Sequence, residues 1–177
     1  MAQYHRRPYA PSPRIQALEA DLSTLAGVRA FWDNQAESLR QVRFFFSNYG
    51  PMSHKATEDL EFEDFCEQIT AHLAPLVFLV RRMREQGVLR GVMVSGMADY
   101  EPKRGYRQVA AHACAKGLVE TVLASWKLVW PDLFCQSWPV PTLKGARFPR
   151  SGYPEADPST VAGEMVRRMM MDDEEMR

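Results

Sequence analysis

Net charge is the first thing this sequence lacks. Its 22 lysines and arginines are cancelled by 22 aspartates and glutamates, so no overall field draws the chain to nucleic acid or to an anionic membrane. Long apolar runs are also missing. The longest, residues 73–80, is eight residues with Pro75 inside it, whereas a membrane-spanning helix needs roughly 20. Neither nucleic acid nor membrane is therefore expected as a partner. Residues 1–8 carry charge with no apolar segment behind them, which is not the pattern of a secretory signal and leaves a cytoplasmic address as the expectation. Cysteine is scarce: Cys66, Cys114 and Cys135 are odd in number, widely spaced and set in apolar surroundings. That argues against a disulfide framework and against a zinc site, and predicts buried thiols. There is no internal repeat, and compositional bias is confined to a proline-spaced connector at 8–13 and a Met-rich acidic tail at 169–177.

What is present suits one globular domain over residues 1–177, with a connector at 1–13, a core at 14–141 and a loop plus terminal helix at 142–177. The hydrophobic share of 46% is enough for a single core. Short β-branched or aromatic runs at 14–20, 42–48, 89–95 and 133–138 read as strands, with a further strand suggested at 2–6. Helical patterns separate them. Ser23 or Thr24 can cap a helix running to about Leu39. Residues 57–86 carry an apolar face through Phe62, Phe65, Cys66, Ile69, Leu73 and Leu76, with Pro75 expected to bend or divide the helix. Residues 106–130 form a third helix ended by Pro131, and Asp157-Pro158-Ser159 is a start signal for a fourth. Alternation of this kind predicts an α/β domain with a mostly parallel sheet.

Five short segments add a family likeness. Ala20-Asp-Leu-Ser23, Ser47-Asn-Tyr-Gly50, Val92-Met-Val-Ser-Gly-Met97, His112-Ala-Cys-Ala-Lys116 and Trp138-Pro-Val-Pro141 stand in an order and spacing that resembles the short-chain dehydrogenase/reductase family over most of the chain. The resemblance implies a partial Rossmann-like doubly wound sheet and NAD(P) as the cofactor, provided binding survives. That family opens with a strand and a Gly-x-x-x-Gly-x-Gly turn, through which backbone N–H groups approach the dinucleotide pyrophosphate. No such turn occurs here, and residues 2–6 resemble the family's second strand instead. In the order 3-2-1-4-5-6 the missing first strand is central, so its loss leaves unpaired backbone groups unless the sheet rearranges or another chain fills the gap.

The resemblance also marks the candidate catalytic positions. Lys116 matches the lysine of the family's Tyr-x-x-x-Lys pair, but His112 stands in place of the tyrosine. Gly96 stands at the substrate-orienting serine, with Ser95 one place earlier and, by strand alternation, expected on the other face. His72 stands at the asparagine of the proton relay. Asp21, Asn48, Gly50, Lys116 and Pro139 fall at cofactor-lining positions. Asp21 is open to two readings, an adenine contact or ordinary helix capping. His112 is likewise open: an imidazole can act as acid or base near neutrality, or it is a helix histidine in a cleft without chemistry. His72 and His112 have no third ligand at convincing spacing, so no metal is expected.

The helices 57–86 and 106–130 correspond to the family's dimer-forming pair, and their small and apolar residues are retained while catalytic groups are lost; covering the sheet is the plainer account of the same residues. Met165, Met169, Met170 and Met171 are expected to cover a sheet edge. The leading expectation is a catalytically impaired subunit, a homodimer or a partner of an intact relative through those two helices. The alternatives are an NAD(P)-dependent oxidoreductase lacking its N-terminal cofactor-binding segment, in which Lys116, His112 and Ser95 would carry hydride transfer with Asp21 and Asn48 near the cofactor, and a decayed gene product. Residues 142–157, with Lys144, Arg147, Phe148, Arg150 and Tyr153, name no substrate.

Overall fold

A computed structural model of the chain describes residues 18–48, 50, 55–96, 110–139 and 156–175. The strand expected at 2–6 lies outside these residues, as do 14–17 of the strand expected at 14–20; Leu18–Ala20 follow without regular structure. The order is α1 (Leu25–Leu39), β1 (Phe44–Ser47), a 3-10 turn (Thr57–Asp59), α2 (Phe62–Glu85), β2 (Gly91–Gly96), α3 (Ala110–Val129), β3 (Phe134–Pro139) and α4 (Pro158–Glu175). The three strands form one parallel sheet in the order β1-β2-β3, with Phe44 opposite Gly91 and Gly91 opposite Phe134.

Local chemistry accounts for the helix boundaries. Thr24 is extended, and its hydroxyl accepts from the N–H of Gly27 at 3.0 Å, capping α1. Thr24→Ala should cost about 1 kcal/mol, read as a shift of the urea midpoint at unchanged slope. Glu61 and Asp64 form a reciprocal capping box at α2, the Asp64 carboxylate accepting from the Glu61 N–H at 2.9 Å. Asp157 accepts from the Ser159 N–H at 2.9 Å and so starts α4 at Pro158, where the missing proline N–H costs nothing. Gly87, at φ 76°, follows the end of α2 in the left-handed region that favours glycine, and its N–H bonds to Arg84 O at 2.9 Å.

Pro75 does not divide the second helix, which runs unbroken from Phe62 to Glu85. It lies on the buried face beside Leu76 and Leu79, where packing offsets the hydrogen bond it cannot donate. From the last turn of that helix, the Arg84 guanidinium grips the Asp132 carboxylate and reaches Leu89 O at 3.3 Å, tying the entrances of β2 and β3 together.

The main core lies on one face of the sheet. Val28 and Trp32 of α1, Leu76, Leu79 and Met83 of α2, and Val119 and Leu123 of α3 close over Val92, Val94 and Cys135. Fully burying an aliphatic side chain of this kind is worth roughly 1.5–3 kcal/mol. A smaller cluster on the opposite face joins Met93, Trp138 and Met165. Of the methionines expected to cover the sheet, only Met165 is shown doing so; Met170 and Met171 are exposed, and the Met169 side chain is outside the described set. The cysteine expectation also needs correction. Cys135 is buried, whereas Cys66 and Cys114 are exposed, because they occupy helix positions turned away from the core.

Candidate active site

In a parallel sheet all strands end at one edge, and ligand crevices of open α/β sheets form there. Here that edge collects Ser47 from β1 with Asn48 just past it, Ser95 and Gly96 from β2, and Pro139 from β3. Helices α2 and α3 bring His72, His112 and Lys116 to the same region, all at most 8% exposed. The His72 and His112 rings meet edge to face, with centroids 4.8 Å apart and planes at 71°. One turn along α3 from His112, the Lys116 ammonium donates to Ser95 O at 2.8 Å and to Ser95 Oγ at 3.0 Å.

The contact with Ser95 corrects the sequence expectation. Alternation places Val92 and Val94 on the face covered by α1–α3 and Met93 on the other, so Ser95 should face away from Lys116. Ser95 is, however, the penultimate residue of β2, and Gly96 after it carries no side chain. The long lysine stem reaches the strand end from the helix side and takes both Ser95 oxygens.

His72 is held by its own helix. Its Nδ1 lies 2.8 Å from Gln68 O, and because a carbonyl only accepts, Nδ1 carries the proton and Nε2 is left as a bare acceptor. That Nε2 is buried with no partner among the described residues, as is Gln68 Oε1. Gly50 closes over the ring: a Cβ at this position would lie 2.0 Å from Nε2. Burial pulls the His72 pKa down to about 4, the Gln68 contact partly opposing and the Lys116 charge assisting. Burial likewise brings Lys116 down to about 8, with Glu120 partly opposing. At neutral pH His72 is therefore an uncharged ring with no proton on Nε2.

The remaining expected residues lie apart from this hydrogen-bonded group. Asp21 is exposed. Its carboxylate accepts from the Ser23 N–H at 2.9 Å and from Ser23 Oγ at 2.6 Å, which holds its pKa below the usual value. The cap of α1 itself is Thr24. Asn48 is exposed just past β1; Pro139 ends β3 opposite Gly96. Gln68 went unrecognised in the sequence, although its place one helical turn before His72 puts both on one face. No cluster of three metal-binding side chains occurs among the described residues, and no helix among them is long and apolar enough to cross a membrane.

Neither a family model nor a curated protein sequence matches this chain. Solved structures do. A short chain dehydrogenase family protein from Francisella tularensis aligns at a TM-score of 0.62 and 12% identity, covering 76% of this chain and 55% of that one. The short-chain oxidoreductase TTHB094 from Thermus thermophilus aligns at 0.62 and 18%, covering 84% and 71%. The landomycin C-6 ketoreductase LanV, solved with NADP and rabelomycin, aligns at 0.61 and 14%, covering 72% and 55%. The chain thus spans little more than half the length of two of these three structures. At such identities the likeness speaks for the shape, and the described strands and helices have the fold of the short-chain dehydrogenases/reductases.

Proposed function

We propose that this chain is a short-chain-dehydrogenase-like subunit without hydride-transfer activity, acting by association as a homodimer or beside an intact relative. One observation carries the reading: the groups at the family's catalytic positions are spent on one another. Lys116 donates to Ser95, and the His72 and His112 rings pack together out of solvent with Gly50 against Nε2. Two of the three ammonium donors of Lys116 are thereby taken up by Ser95. His72 at neutral pH donates nothing from Nε2, and Asp21 is engaged by Ser23. With these groups engaged, and with no glycine-rich turn in the sequence to supply amides for a pyrophosphate, the reading is one without NAD(P) chemistry.

Association is favoured by what the corresponding helices expose. Phe62 and Val77 on α2 and Leu118 and Leu128 on α3 stand 38–86% exposed. Leu25, Leu73, Val77 and Phe78 also line a groove between α1 and α2. Apolar surface of that kind on a protein of this size is more often contacted than left to water.

The retained lysine favours a second reading, an NAD(P)-dependent oxidoreductase completed by a segment supplied from elsewhere. Titration with NADH and NADPH, followed by nucleotide fluorescence and thermal unfolding, separates the two when combined with sedimentation of the same samples. The expected result is no saturable binding, no rise in melting temperature and a mass above that of one chain. Saturable binding that raises the melting temperature, or a strict monomer at all concentrations, would overturn the subunit reading.

A further inference from the structure

Among the described residues Lys116 has no carboxylate within ion-pair reach; its ammonium meets Ser95 O at 2.8 Å and Ser95 Oγ at 3.0 Å. Yet the residue is only 8% exposed. Glu120, one turn further along α3, accepts instead from the Ser137 hydroxyl at 2.9 Å, and the His72 ring on α2 is uncharged at neutral pH. A buried cation held by a carbonyl and a hydroxyl alone is costly, and an amine escapes that cost by giving up its proton. With burial bringing the pKa to about 8, about a tenth of this side chain is neutral amine at pH 7.

The nitrogen's own geometry says what that neutral fraction can do. Of the four tetrahedral directions at Nζ, one is the bond to the side chain, one is turned to Ser95 O and one to Ser95 Oγ. The last has no partner among the described residues. It holds the third N–H of the ammonium, and in the neutral amine that keeps both Ser95 contacts it holds the lone pair. A desolvated amine with its lone pair unengaged has the character of a lysine that forms Schiff bases.

The geometry points to Lys116 as a carbonyl-capturing amine, whose Nζ, steadied by Ser95 at the edge where the strands end, takes a small aldehyde or ketone as an iminium adduct. Nitrogen adds to the carbonyl carbon, and Ser95 Oγ, 3.0 Å away, is placed to pass a proton from nitrogen to the carbonyl oxygen. The C–O bond then breaks and the oxygen leaves as water, carrying two of the three protons of the starting ammonium. The N–H that remains can stay on Ser95 O, and the charge is the same before and after. No oxidant, reductant or metal enters. An anionic adduct such as a carbamate would instead set negative charge against Ser95 O, which can only accept. With so little of the residue open to solvent, the carbonyl compound is a small one. Capture of this kind needs neither NAD(P) nor association, so it stands apart from the subunit reading.

The test is reductive trapping on the full, unmodified chain, with propionaldehyde and sodium cyanoborohydride at pH 7 and peptide mapping by mass spectrometry. The sequence has five lysines, Lys55, Lys103, Lys116, Lys127 and Lys144, so each reports separately. Lys116 should gain the propyl group at least about tenfold faster than Lys55 and Lys127, both of which are exposed. A lysine of ordinary pKa is neutral at pH 7 on the order of a hundredfold less often, and the lower basicity of Lys116 gives back only part of that advantage. Its rate should also level off above pH 8, and the preference should vanish in concentrated urea, where the burial is undone. Labelling of Lys116 no faster than that of Lys55 and Lys127 in the folded protein overturns the assignment, and so does a preference that survives unfolding. Because no substitution is involved, neither result can be ascribed to a variant that fails to fold.

Discussion

Between pH 6.5 and pH 4 the protein is expected to lose about 3 kcal/mol of stability through His72 alone. An unfolded histidine takes up a proton near 6.5; in the fold, burial postpones this to about 4. Over that interval the unfolded chain binds more protons at this site, so each step down in pH favours it. The contribution is complete above 6.5, falls as the medium acidifies, and is gone below 4. With 3% of the residue exposed, little solvent screening reduces the figure. Lys116 acts in the same sense on the alkaline side. Its folded pKa of about 8, against 10.5, makes stability rise with pH across that window, because the folded site has lost its proton while the unfolded chain still holds one. Urea midpoints at half-unit steps of pH for the unmodified protein and for His72→Asn measure the acid limb directly. The variant should be flatter between 4 and 6.5, and superimposable curves would show that the ring is not held neutral by burial.

Gly50→Ala should destabilise the protein by about 2–4 kcal/mol, far more than its one added methyl group suggests. The new Cβ would stand 2.0 Å from His72 Nε2, 2.5 Å from Cδ2 and 2.6 Å from Cε1, so ring or backbone must move. The ring has little room to do so. His112 packs against it and Gln68 O holds Nδ1; withdrawing it breaks that bond and leaves another buried polar atom without a partner. Gly117→Ala and Gly163→Ala are the matched controls. Both lie within helices with nothing inside 4 Å of an added Cβ, and alanine there should stabilise by roughly 0.5–1 kcal/mol. Equal behaviour of all three variants in urea unfolding would mean that Gly50 does not constrain the histidine pair.

The layout of the domain was legible where short-range chemistry decides it. A hydroxyl before an apolar periodicity narrowed the cap of α1 to Ser23 or Thr24, an Asp-Pro-Ser triplet marked the start of α4, and β-branched and aromatic runs marked β1, β2 and β3. These signals act within a turn or two of the residue that carries them. The site was only half legible. The family resemblance placed Lys116, His112 and His72 at a common cleft, but strand parity alone put Ser95 away from Lys116, because it ignores how far a lysine reaches past the end of a strand. Gly50 and His72 are separated by 22 positions in the chain, and no local pattern announces that one has no Cβ because the other's ring is there. The exposed Cys66 and Cys114 teach the same lesson: an apolar neighbourhood in sequence includes residues on both sides of a helix, and only packing decides which side faces water.

Those two thiols give the protein a built-in spectroscopic handle. Cys135 is buried, and burial pushes its thiol up to about 11, so at neutral pH it offers almost no thiolate to an electrophile. Cys66 and Cys114 are open to reagent, one on α2 and one on α3. A fluorophore or spin label added to the unmodified chain therefore reports from the outer surfaces of these two helices, the pair on which association is proposed, without an engineered cysteine and with the core thiol silent.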